Sequence, residues 1–149
     1  MRRAVVVLVP IALALACAKA ETPATDSSAT AMAPAGLTEA QVAGTWTGTA
    51  KAESGDTTTI HWTQVCGGGT CRGTLQEMPG DTIVSTYSIE ADSSVGVSTP
   101  YVDKMSGNVR VVDHWVARVS GSAISGRGWA TLADKPDSVV SRYTFTGGK

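Results

Sequence analysis

The chain carries few side chains able to do chemistry, and its cysteines come first among them. Cys66 and Cys71 bracket three glycines in "QVCGGGTCRG", while Cys17 stands alone far upstream. Two thiols flanking a short turn suit a disulfide in an oxidising compartment. Zinc would need four ligands, and beyond this pair the chain offers only His61 and His114, without C-x2-C spacing. C-x4-C is also not the C-x-x-C redox motif. No G-x-S-x-G elbow, H-E-x-x-H pair or P-loop occurs. The expectation is a protein that is not an enzyme and holds no metal or cofactor. Asp113 is the one acidic side chain that strand parity turns inward on "VRVVDHWVARV". It could serve proton transfer, or simply hydrogen-bond near a strand end.

The elements that position these residues begin after an export signal. Arg2 and Arg3 precede an uncharged run, Ala4 to Ala16, which is too short for a spanning helix. The run closes on "ALAC", which resembles the lipobox of bacterial lipoproteins. That resemblance implies a lipidated Cys17 as the first mature residue, a membrane anchor, and a place at the cell envelope facing the periplasm or the exterior. Ala18 is not the aspartate that the family associates with inner-membrane retention. An ordinary signal peptidase cutting at "ALA" or "AKA" would instead leave a soluble protein.

The expected organisation is therefore a signal peptide over 1–16, a lipidated cysteine and flexible Ala/Thr/Ser/Pro-rich tether over 17–36, and one domain over 37–149. Removing Arg2 and Arg3 moves the formal balance from −1 to −3, with 10 cationic against 13 acidic side chains. No basic stripe remains for nucleic acid. A monomer is expected.

Within the domain the hydrophobic period is two, and turn signals recur about every ten residues. Eight segments read as short strands in meander order. The predicted fold is all-β, an eight-stranded antiparallel up-and-down barrel in preference to a sandwich. A two-residue turn at Gly121-Ser122 sets Val119 against Ile124, Ala117 against Gly126 and Trp115 against Gly128. A loop at Ser54-Gly55-Asp56 sets Trp62 against Gly48 and Trp46 against Gln64, and the disulfide hairpin places Leu75 opposite Trp62. Two indoles would then each cover a glycine of the adjoining strand.

"LTEAQVAGTW" offers a capping-box turn, Thr38 to Gln41, running into Gly44-Thr45-Trp46. This resembles the opening of calycin barrels, the lipocalin and avidin group. In lipocalins the tryptophan of G-x-W closes one barrel end, which the resemblance assigns to Trp46, and an arginine of the last strand packs across it. Arg142 is the candidate for that arginine, but parity turns it outward, opposite Trp129, in an exposed cation–π contact. The domain is also similar to small uncharacterised lipoprotein domains of environmental bacteria, which imply no activity.

Two binding roles follow. Large side chains of inward parity, among them Val95, Val97, Tyr101, Val139, Tyr143 and Phe145, favour a lumen filled by the protein itself. That points to an interaction module presenting its surface to a protein, glycan or lipid. His114, Arg127, Trp129 and Arg142 form the candidate outward site, able to stack on sugars or cations. The alternative is a lipocalin-like carrier of a small hydrophobic ligand. An empty apolar lumen above about 300 Å³ separates the two.

Overall fold

The computed structural model describes residues 36–55 and 58–149. The expected signal peptide, Cys17 and nearly all of the tether lie outside the described residues. A single turn of helix, α1 (Glu39–Val42), leads into β1 (Gly44–Ala52), β2 (Thr59–Gly67), β3 (Thr70–Leu75), β4 (Ile83–Glu90) and β5 (Ser93–Ser98). There follow β6 (Tyr101–Asp103), β7 (Val109–Ser120), β8 (Ala123–Leu132) and β9 (Lys135–Gly148). Apart from β5 and β6, consecutive strands pair antiparallel, β9 returns to β1, and β5 closes the ring against β7. The fold is the predicted closed eight-stranded up-and-down barrel. β5 and β6 together occupy one of the eight positions, both lying along β7.

Turn chemistry fixes the registers. Gly68 and Gly69 take φ of +59° and +74°, the pair of left-handed residues that a type I′ hairpin requires. Cys66 and Cys71 therefore face each other in the ladder, and their Cα atoms lie 4.1 Å apart across the disulfide. Gly121 turns the β7–β8 hairpin in the register read from the sequence, with Val119 on Ile124 and Trp115 on Gly128. Trp62 lies opposite both Gly48 and Leu75, as predicted.

Two strands depart from simple parity. Ser94, Gly96 and Ser98 face inward on β5, and Val95 and Val97 face out, with Val97 39% exposed. Tyr101 nevertheless points inward, because Thr99 and Pro100 insert an extra residue between the two pairings with β7. Proline has no N–H to give a ladder, so the strand bulges there and its parity inverts. The amide of Asp113, facing this gap, bonds instead to Ser98 Oγ at 2.8 Å. On β9, Val139 is 41% exposed rather than inward, because the β8–β9 ladder shifts register around Thr131.

Candidate functional site

The barrel has two unlike ends. One carries α1, the hairpin turns of β2–β3, β4–β5 and β7–β8, and the C-terminal Lys149. Here the predicted capping box forms, with Gln41 Oε1 accepting from the Thr38 amide at 2.8 Å, and α1 packs on the core through buried Val42. Trp46 beneath it is 0% exposed, and its Nε1 donates to the Val42 carbonyl at 2.7 Å. The disulfide, Tyr87, Ile124 and Phe145 complete this packed cluster. Tyr87 donates its hydroxyl to Glu39, and burial together with that carboxylate pushes the phenol up to about 12.

From Trp115 and Ile124 towards the other end runs a cavity of about 400 Å³. It reaches the loops that hold the exposed Ser54 and Met105. The lumen is therefore not filled, contrary to the expectation from bulky inward residues. Part of the reason is the inversion of β5, which replaces two valines by serines and a glycine. The rest is that the aromatic rings lie along the barrel wall, over glycines. A Cβ on Gly96 would stand 2.1 Å from the Trp115 ring, and one on Gly128 2.3 Å from Tyr143. One on Gly126 would stand 2.5 Å from Phe145, and one on Gly48 2.5 Å from Trp62. Trp62 thus covers the glycine assigned to it, whereas Trp115 covers Gly96 and leaves Gly128 to Tyr143. Rings pressed into the wall leave the axis open.

The polar groups of this lumen are few. Tyr143 donates to Asp113 Oδ2 at 2.7 Å, while Asp113 Oδ1 and Trp62 Nε1 are buried without a partner. Burial pushes the Asp113 carboxyl up to about 7; the Tyr143 hydrogen bond opposes this and the nearby Asp103 carboxylate adds to it. Asp103, 6% exposed, accepts the amides of Met105 and Ser106 at 2.9 and 3.2 Å and so shapes the β6–β7 loop. Burial, then Asp113 and Asp103, hold the Tyr101 hydroxyl protonated. Tyr143 is held protonated by burial and by Asp113.

On the outer face His114 stacks on Trp129, with centroids 5.2 Å apart and rings 7° from parallel. Arg127 pairs with Val116 and Arg142 with Trp129 in the ladder, both arginines being exposed. The sequence-derived cluster therefore shares one face. His114, however, takes the Trp129 ring, which is half-buried rather than freely exposed. Among the described residues, the cation–π contact is instead Lys149 Nζ, 4.6 Å from the centroid of Trp46. The cation on the barrel-end tryptophan is thus Lys149, just past β9, and not Arg142.

Of the lumen groups, parity alone identified Asp113, Tyr101 and Tyr143 as inward. It carried no signal that the first and last of these bond, or that Asp103 approaches them. Comparison of the chain with protein-family models, with curated proteins and with solved structures finds no match.

Proposed function

We propose that this domain is a non-enzymatic binding module whose barrel lumen carries a small, largely apolar ligand. The observation that supports this most is the cavity of about 400 Å³, walled by aromatic rings and holding two unpartnered polar atoms. Its size suits a ligand pocket, apolar with a few fixed polar groups. A lipid anchor on Cys17, resembling that of bacterial lipoproteins, would hold the carrier at the cell envelope, with the membrane as its standing partner.

The test is a titration of the full chain with N-phenyl-1-naphthylamine, a neutral apolar fluorophore. Saturable enhancement of its emission, with one site per chain, is expected. Replacing Gly73, which lines the lumen, by Phe should abolish that signal while leaving the far-ultraviolet circular dichroism unchanged. No enhancement by the unmodified chain would reject the carrier reading.

A second reading keeps the outer face as a docking surface for a protein, glycan or lipid. It is favoured by the parallel His114–Trp129 stack beside Arg127 and Arg142. A cross-strand pair of this kind also stabilises a sheet by about 0.2–1 kcal/mol, so it serves the fold without any partner. Substituting Trp129→Ala would separate the readings, since it leaves every lumen contact in place.

A further inference from the structure

The lumen has a charge character that apolar cargo does not explain. Of its charged lining groups, Asp103 and Asp113 lie inside, whereas Lys51 and Arg142 are exposed. Among the described residues the ion pairs are His61–Glu77, Lys104–Asp81 and Arg118–Asp92, and none involves either lumen carboxyl. Asp103 has its loop amides, but Asp113, although the Tyr143 hydroxyl and the His114 amide act on it, keeps Oδ1 without a partner. A buried carboxylate without a countercharge is costly.

Each class of occupant can be judged against these groups. An anion would enter between two carboxyls with no internal cation to meet it. A hydrocarbon would leave Asp113 Oδ1 unpartnered, the most expensive state for a buried acceptor. A protonated amine would supply both the missing donor and the missing charge. The surroundings also favour a cation, because Trp62, Trp115, Tyr143 and Phe145 offer ring faces along the same cavity.

We infer that the lumen selects a small organic monocation, a protonated amine on an aromatic or apolar body, with the ammonium at Asp113 and the body among Trp62, Trp115 and Phe145. This rests on the carrier reading and narrows its ligand class. The groups that face Asp113 from the packed elements are Tyr143 on β9, Tyr101 and Asp103 on β6, and the uncharged Ser98 on β5. His114 is its neighbour on β7 but points to the outer face. Because burial favours the neutral acid in the empty barrel, amine binding must displace the proton from Asp113, and affinity rises with pH until that proton is gone.

Calorimetric titration of the full chain with three ligands of one shape tests this: 2-(2-naphthyl)ethylamine, the corresponding alcohol, and 3-(2-naphthyl)propanoate. At pH 8 the amine should bind at least tenfold more tightly than the alcohol, and the propanoate at least tenfold more weakly than it. The substitution Asp113→Asn should bring the amine to within about threefold of the alcohol and leave the alcohol unchanged. On the unmodified chain, amine affinity should rise about tenfold from pH 6 to pH 8 while that of the alcohol stays flat, a measurement independent of how the variant folds. An amine no tighter than the alcohol, or equal losses for both in the variant, would overturn the cation inference and leave the carrier standing. Failure of all three ligands to bind would overturn both.

Discussion

The two ends of the barrel each hold an inward tryptophan near a strand terminus, and they treat it in opposite ways. At the packed end Trp46 is fully buried, its Nε1 is bonded to Val42, and Lys149 lies on its ring while also donating to the Gln41 carbonyl at 2.9 Å. At the open end Trp62 is half-buried, meets Phe145 edge-on at 6.0 Å, and leaves its Nε1 unpartnered. The same contrast separates Tyr87, which ties α1 to the barrel, from Asp113, which bonds through one oxygen alone. At the packed end the Trp46 indole, the Tyr87 phenol and the Lys149 ammonium all serve closure, and the small Ser94 hydroxyl is the group buried there without a partner. The open end keeps unmet hydrogen-bonding capacity that costs stability, which is the usual state of a site built for something other than folding.

If that division holds, truncation of the two indoles should separate most clearly. Trp46→Ala removes a fully buried ring and leaves the Val42 carbonyl without its donor, so a loss of about 3–5 kcal/mol is expected. Trp62→Ala removes a ring that already borders a cavity, and should cost less than half as much. Urea unfolding of both variants measures this. Equal losses would mean that the two ends are packed alike and that the lumen collapses in solution.

The next largest effect is in the pH dependence of stability. Asp113 titrates near 7 in the folded chain and near 3.8 when unfolded. Between those values the folded state holds a proton that the unfolded state has released, so stability is fully present below about pH 4 and falls until about pH 7. The total is about 4 kcal/mol at most, from roughly 1.36 kcal/mol per unit. Asp113→Asn keeps an acceptor for Tyr143 and removes the titration, so it should be more stable than the unmodified chain at pH 8 and nearly equal at pH 4. Guanidinium unfolding at the two pH values reads this directly. A variant less stable at both would show that the open end is not where stability is given up.

These two regions were unequally legible in the sequence. The packed end follows from local signals: a capping pair at Thr38 and Gln41, G-x-W, two cysteines around glycines, and a Gly-Ser turn that fixes a register. Each depends on neighbours within a few residues. The open end depends on where a strand changes face. Pro100 carries that information, since its missing N–H forces the bulge, yet parity run straight through it turned Val95 and Val97 inward and filled the lumen. Strand pairing assigns glycines to two indoles only. That Phe145 and Tyr143 also lie on glycines, and so leave the axis clear, needed the three-dimensional wall. Lys149 takes the place of Arg142 at Trp46 because the residue just past β9 reaches the closed end, and a single lysine gives no pattern to read.

Reduction of the disulfide sharpens the comparison by acting on one end only. Closure of this short loop contributes about 2 kcal/mol in the chain-entropy model. The Cys66–Cys71 pair sits in the packed cluster and is not itself among the residues that line the cavity. Reduced protein should therefore unfold at lower urea concentration yet bind N-phenyl-1-naphthylamine within about twofold of the oxidised form. A collapse of binding on reduction would show that the two ends are mechanically coupled.

The smallest effects concern Arg142 on β9 and Lys149 just past it, and they test the division at the level of single contacts. Lys149 has a ring beneath it and a carbonyl in front of it, so Lys149→Ala should cost about 1 kcal/mol. Arg142 stands opposite Trp129, whose ring His114 already covers, so Arg142→Ala should change stability by no more than about 0.5 kcal/mol. The order matters more than the size, because exposure of both side chains keeps each effect small. If Arg142→Ala instead cost several kcal/mol, the guanidinium would have to be buried and satisfied, with Gln64, Asp103, Asp113 or backbone carbonyls inside to satisfy it. Asp113 would then have its countercharge from the protein, and an amine ligand would have nothing left to supply.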